Sequence, residues 1–186
     1  PWIALTALAA WFGMNDIADA KASFAAQAAI FKRKHNWLMC VLYLGTFGSF
    51  IGYAAGFPLL IKSQFPNINP LAYAWLGPLV GAVIRPFGGW LADKLGGARV
   101  TLWNFIVMAI AVVGVTVFLP SGSNEGQFGG FFVCFLVLFL TTGIGNGSTF
   151  RMIPVIFLTE AMRGVDKNNA AAVAQANKEG NTLGAA

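Results

Sequence analysis

Four long apolar runs dominate the chain, at residues 37–61, 71–91, 100–119 and 129–158. Each meets or exceeds the ~20 residues a helix needs to cross ~30 Å of hydrocarbon. None alternates apolar with polar positions, and all are too long for barrel strands, so transmembrane helices are predicted. Residues 1–14 read as the tail of a fifth span. The fourth run is too long for a straight crossing. Its interior, Gly143-Ile144-Gly145-Asn146-Gly147-Ser148-Thr149, predicts tilt or a local bend there. Between the first two apolar stretches, Phe24, Ala28 and Phe31 fall at helical spacing before a basic cluster. This suits either a short amphipathic helix on the membrane face or a solvated linker.

Composition narrows the class. Of 186 residues, 57% are hydrophobic and 10% charged, against roughly 25% charged in a soluble domain. Mean hydropathy is +0.67. A disordered chain, a disulfide scaffold and an ordinary soluble enzyme are excluded, leaving an all-α, polytopic transmembrane helix bundle. The chain opens at Pro1 inside an apolar run and stops at Ala186 after a polar stretch, so a piece of a larger protein is expected. Cys40 and Cys134 lie in apolar runs and read as small core residues. His35 sits in a basic polar stretch, poorly placed for catalysis. With no nucleophile–base set, paired carboxylates or metal ligands at membrane depth, no catalytic residue, metal or cofactor is predicted.

The formal charge of +5 gains meaning from placement. Nine basic residues (Lys21, Lys32, Arg33, Lys34, Lys94, Arg99, Arg163, Lys167 and Lys178) fall in alternate loops, against Lys62 alone in the others. They are dispersed through an apolar chain, so nucleic acid is not the expected partner. The lipid bilayer is. The positive-inside rule puts segments 15–36, 92–99 and 159–186 in the cytoplasm of a multi-pass protein of the cell (inner or plasma) membrane. Only Arg85 and Arg151 lie within runs. Arg151 is near the cytoplasmic end, where snorkelling is expected.

The loop after the second run reads Gly88-Gly89-Trp90-Leu91-Ala92-Asp93-Lys94-Leu95-Gly96-Gly97-Ala98-Arg99. A carboxylate and cations at facing helix ends can form a position-sensitive latch, here Gly89, Asp93, Lys94, Gly97 and Arg99. The residue order resembles the cytoplasmic-loop signature of the major facilitator superfamily, in which glycine, aspartate, a basic residue, glycine and a second basic residue join two spans. In that superfamily the signature lies between helices 2 and 3 and between helices 8 and 9. The basic stretch at 15–36 resembles the connector between the superfamily's two six-helix halves. The resemblance implies a 12-helix transporter, of which this chain holds part of the C-terminal half. Residues 1–14 then end helix 6, and 37–61, 71–91, 100–119 and 129–158 are helices 7 to 10. Residues 159–186 are a cytoplasmic loop before helix 11.

Arg85 lies eight residues before Asp93, or roughly 12 Å along a helix. A guanidinium within a span costs at least ~2.5 kcal/mol, so it normally faces a cavity and has a partner. A snorkelling arginine is the alternative. No Asp or Glu lies within the four runs, and Gly81 and Gly88 flank Arg85 about one turn away, clearing space around it. An open arginine without a carboxylate suits an anionic ligand. In the preceding span Tyr43, Phe47 and Phe50 share one helical face, which points either at a cavity or at lipid. Gly48, Gly52 and Gly56 repeat every four residues roughly opposite, which predicts close helix packing. Packing or a pivot is also expected of Gly81, Gly143, Gly145 and Gly147.

At three segments the chain resembles the nitrate/nitrite porter family within that superfamily. They are Tyr43-Leu44-Gly45-Thr46-Phe47-Gly48-Ser49-Phe50-Ile51-Gly52, the Gly77 to Gly89 stretch, and Gly143 to Phe150. Met14-Asn15-Asp16 and Phe31-Lys32-Arg33-Lys34-His35 are similar to it as well. The resemblance implies that nitrate and nitrite are the ligands. It implies that Arg85 is one of two clamping arginines, one from each half, that Tyr43 hydrogen-bonds the anion and that Phe47 helps sandwich it. The second arginine and the family's glycine-rich signatures, in helices 5 and 11, would lie in the N-terminal half and in helices 11–12. Nitrate is flat and singly charged, so a planar guanidinium can meet two of its oxygens. The spans carry no carboxylate or histidine at mid-depth, which predicts nitrate/nitrite exchange, in an assimilatory or respiratory role. Nitrate/proton symport and transport of another small anion are the alternatives.

Overall fold

In the computed structural model of the chain, residues 2–13, 28–122, 125–163, 165–166 and 169–185 are described. The fold is all-α. Helix α1 (Trp2–Gly13) is 12 residues long, and every one of its residues is exposed. The segment compared above as Met14-Asn15-Asp16, and most of the amphipathic stretch ending at Phe31, lie outside the described residues. The chain resumes in a 3-10 turn (Ala29–Lys32) and enters α2 (Lys34–Tyr43). One π-helical turn, Leu44–Gly48, then leads into α3 (Ser49–Gln64). Together they form a continuous 31-residue apolar helical path.

The second apolar run is helical but broken. It comprises α4 (Pro70–Tyr73), α5 (Leu76–Val83) and α6 (Arg85–Leu95). Proline explains both breaks. Pro78 and Pro86 lack the N–H groups that would bond the Ala74 and Ala82 carbonyls four residues back. The interruptions fall at Ala74–Trp75 and at Ile84 accordingly. Asn69 caps the entry, its side-chain oxygen accepting from Leu71 N at 3.1 Å.

Gly96, at φ +87°, turns the chain between α6 and α7 (Gly97–Phe118). A side chain would be strained in that conformation. Helix α8 (Phe128–Ala161) follows, 34 residues long. At 1.5 Å per residue it is about 51 Å, well beyond a bilayer core. It stays helical through 143–149, where the sequence predicted tilt or a local bend.

Residues 159–186 were expected to be a loop. They contain α9 (Ala170–Ala185), which turns back along the end of α8. A Cβ on Gly180 would meet Leu158, and one on Gly184 would meet Pro154. The helix forms because the segment is alanine-rich and Asn169 caps it, its Oδ1 accepting from Ala172 N at 3.2 Å.

Helix α8 is the axis of the bundle, and α2, α3, α5, α6, α7 and α9 all pack on it. Much of the core is aromatic. Phe57, Phe131 and Phe139 are fully buried, and the Phe57 and Phe135 rings stack at 4.8 Å. Polar residues fill the other end of the seam. Thr101 and Ser148 hydrogen-bond at 3.0 Å between α7 and α8, both buried. This spares each hydroxyl an unmet bond in a medium without water.

Two packing expectations are not met among the described residues. Gly52 and Gly56 face open space, and Gly48 meets only Leu44 of its own helix. This glycine stripe is turned away from α8, so no described helix uses it. Cys40 is exposed rather than buried, because it lies on the outward side of α2.

Candidate functional site

The π turn shapes the first wall of the site. Five residues per hydrogen-bonded turn, instead of four, widen the helix between Tyr43 and Ser49. Tyr43 and Phe47 then stack with ring centroids 5.3 Å apart, and Phe47 and Phe50 are nearly parallel at 6.4 Å. Arg85, the first residue of α6, brings its guanidinium carbon 4.8 Å from the Phe50 centroid and 5.4 Å from that of Phe47. Cation–π attraction of this kind is strongest where water is excluded. Among the described residues no carboxylate pairs with Arg85, and its buried Nε has no hydrogen-bond partner. The charge is held by aromatic faces alone.

Backbone proximity positions the arginine. A Cβ on Gly147 would strike the Arg85 carbonyl oxygen, and one on Gly143 would strike that of Gly81. Gly88 presses on the Ile144 backbone in the same way. Helices α5, α6 and α8 therefore touch along a glycine seam, with the Ile84 side chain also against Gly143. This corrects the reading of Gly81 and Gly88 as room for an approaching ligand. The space beside Gly81 is filled by the Phe50 ring and the Phe139 carbonyl. Gly145, also in α8, meets Thr46 and Asn104.

A cavity of about 430 Å³ opens on the other side of Arg85. Tyr43, Arg85, Pro86, Gly89, Asn146, Gly147, Phe150 and Arg151 line it. Tyr43 and Arg85, both expected from sequence, meet here, and Phe47 stands behind them against the guanidinium without lining the cavity itself. Asn146 was not singled out as a ligand. It is 5% exposed and makes no hydrogen bond to a described residue. Its signal in the sequence was a lone amide inside an apolar run.

Arg151 is the second residue missed. It does not snorkel free, because its Nε donates to Asp93 Oδ1 at 2.8 Å. Asp93 of the expected latch thus pairs between α6 and α8, with a cation from α8 rather than with Lys94 or Arg99. Lys94 lies over the Trp90 ring, 4.3 Å from its centroid. Gly97 makes room for Met152. Arg99 is exposed and has no ion pair among the described residues. Farther along α8, Glu160 takes Arg33 at 3.4 Å and His35 at 3.3 Å, while Arg33 reaches Glu179 of α9 at 2.9 Å.

Comparison with known proteins places the chain in a family. The model of the Major Facilitator Superfamily matches residues 3–186. The chain belongs to the major facilitator superfamily. Members are multi-pass membrane transporters rather than enzymes, so the apolar helices of this member are membrane helices. It is 55% identical over 157 residues to the nitrate/nitrite transporter NarU of Salmonella typhimurium, covering 84% of this chain and 34% of that protein. It is 53% identical to NarU of Escherichia coli over the same shares of each. With the probable nitrate/nitrite antiporter NarK2 of Thermus thermophilus, identity is 41%, over 89% of this chain and 38% of that protein. The chain spans about a third of the length of these curated relatives.

Proposed function

We propose that the protein containing this segment carries nitrate and nitrite across the cell (inner or plasma) membrane by alternating access, exchanging one anion for the other. The observation that carries this reading is Arg85. It is a membrane-embedded cation held on Phe47 and Phe50, without a carboxylate, at the wall of a cavity shared with Tyr43 and Asn146. The names of the most similar relatives favour the same substrates.

The roles follow from chemistry. The Arg85 guanidinium offers two parallel N–H donors to two oxygens of a flat anion. The Tyr43 hydroxyl and the Asn146 amide each add one donor. Phe47 and Phe50 fix the plane of the guanidinium, so little freedom is lost on binding. In this reading α1 ends helix 6, α2 to α3 form helix 7, α4 to α6 form helix 8, α7 is helix 9 and α8 is helix 10. The N-terminal half supplies the second arginine. An empty cationic site is costly to move through hydrocarbon, and a bound anion removes that cost, which couples movement to exchange.

Flux in proteoliposomes of the full-length protein tests this. Nitrate uptake should depend on nitrite or nitrate inside the vesicle and respond little to an imposed pH gradient. Strong acceleration by the gradient would replace exchange with nitrate/proton symport. Uptake of formate or phosphate at the nitrate rate would remove the substrate assignment.

A further inference from the structure

A second cavity lies between α6, α7 and α8. It measures about 460 Å³, and its walls include Leu91, Leu95, Val107, Leu140 and Ile144. Arg99 stands at one end, beside the α6–α7 turn. On α7, Arg99, Trp103 and Val107 follow one another at intervals of four residues and so form one stripe along the groove. The stripe is about 12 Å long at 1.5 Å per residue. Trp103 is 66% exposed and Leu95 57%, so this is an open furrow with an apolar floor.

The charges at the α6–α7 turn single out Arg99. Of the basic residues grouped there, Arg151 is paired with Asp93 and Lys94 is held on the Trp90 ring. Arg99 has neither partner, and among the described residues no carboxylate approaches it. Asn104 and Thr141 also line the furrow, but most of its wall is apolar, and with an indole near its mouth and one uncommitted guanidinium at its rim it matches a molecule with a tail and an anionic head. Tryptophan favours the boundary between headgroups and acyl chains, and arginine favours phosphate.

We propose that this groove binds an anionic phospholipid, with the headgroup phosphate on Arg99 and one acyl chain laid along Trp103, Val107, Leu140 and Ile144. The site shares no lining residue with the Arg85 cavity and does not depend on which anion is transported. It depends only on these helices spanning the bilayer.

The test uses the full-length protein purified in detergent, with phosphatidylglycerol and phosphatidylcholine of identical acyl chains as probes. Native mass spectrometry counts the retained lipid, and thermal melting reports the stabilisation each lipid gives. The wild type should retain phosphatidylglycerol roughly tenfold better than phosphatidylcholine. Arg99→Gln should abolish that preference while leaving phosphatidylcholine retention unchanged. Leu140→Trp keeps Arg99 and fills the groove, so retention of both lipids should fall, which provides a check should the arginine variant fail to fold. Wild-type retention in both variants would overturn the proposal. So would the absence of any preference in the wild type, as expected if another helix of the same protein covers the groove. Equal stabilisation by soluble glycerol phosphate would also overturn it, because the tail would then contribute nothing.

Discussion

Asp93 and Arg151 are 58 residues apart in sequence and 2.8 Å apart in space. Their ion pair joins the end of α6 to the C-terminal third of α8. Arg151 also lines the cavity that holds Arg85, Tyr43 and Asn146. The same guanidinium therefore borders both the proposed anion site and the contact between two helices.

That arrangement predicts coupling. Asp93→Asn and Arg151→Gln should each shift the balance between inward-open and outward-open states, in the same direction. The double variant should behave like either single one, because both remove one interaction. Distances between spin labels on the two halves of the full-length protein, with and without nitrate, provide the measurement. Additive shifts would mean the two residues act separately.

Arg85→Lys keeps the charge but loses the two-pronged donor and the flat face that rests on Phe47 and Phe50. Nitrate affinity should fall by about tenfold or more. Phe50→Ala should weaken binding less, because Phe47 still supports the guanidinium. Calorimetric titration of the purified protein checks both. Unchanged affinity in Arg85→Lys would remove the residue from the site.

Asn146→Leu places an isobutyl group where a buried amide now lines the cavity. If the amide donates to the anion, the loss should be about 1.5–3 kcal/mol of binding, the range for a hydrogen bond to a charged group. Melting temperature should change little compared with affinity. A variant that melts early yet binds normally would assign Asn146 to packing alone.

The glycines separate into two groups. Gly147→Ala and Gly88→Ala force a methyl group against backbone atoms of the facing helix and should cost about 1–3 kcal/mol of stability. Gly52→Ala meets nothing in this chain and should be neutral or slightly stabilising, since alanine is the better helix former. Thermal melting of the full-length protein tells them apart. A loss at Gly52 would place another part of the protein against that face.

Much of this architecture was legible in the sequence, and the gaps have physical causes. Apolar run length pointed to the long helical stretches at Lys34–Gln64, Gly97–Phe118 and Phe128–Ala161, because hydrocarbon thickness sets a minimum that composition alone can meet. Pro78 and Pro86 carried a signal for the breaks at 74–75 and 84 that run length concealed. Arg85 was conspicuous in the sequence as a cation without a carboxylate in an apolar chain, whereas the periodicity of Tyr43 and Phe47 left cavity and lipid equally open and their proposed roles came from the family resemblance. Arg151 was misread because its partner is 58 residues away, and spacing along one helix says nothing about a carboxylate on another. The glycine stripes could not be ranked from sequence. Gly48, Gly52 and Gly56 have the same spacing as a packing seam, yet the close contacts fall to Gly81, Gly88, Gly143 and Gly147.

The unbroken length of α8 has a mechanical consequence. The helix rests on its neighbours at Gly143 and Gly147, where backbones touch and little can compress. Glu160, with its salt link to Arg33 and with His35 3.3 Å away, lies 13 residues beyond that contact, or about 20 Å. The helix is thus a lever, with its fulcrum at the glycine seam and its load at the far tip. Rocking the seam by about 5° swings the tip by nearly 2 Å over that arm. That travel would be enough to part the links at Glu160 while the atoms around Arg85 scarcely shift.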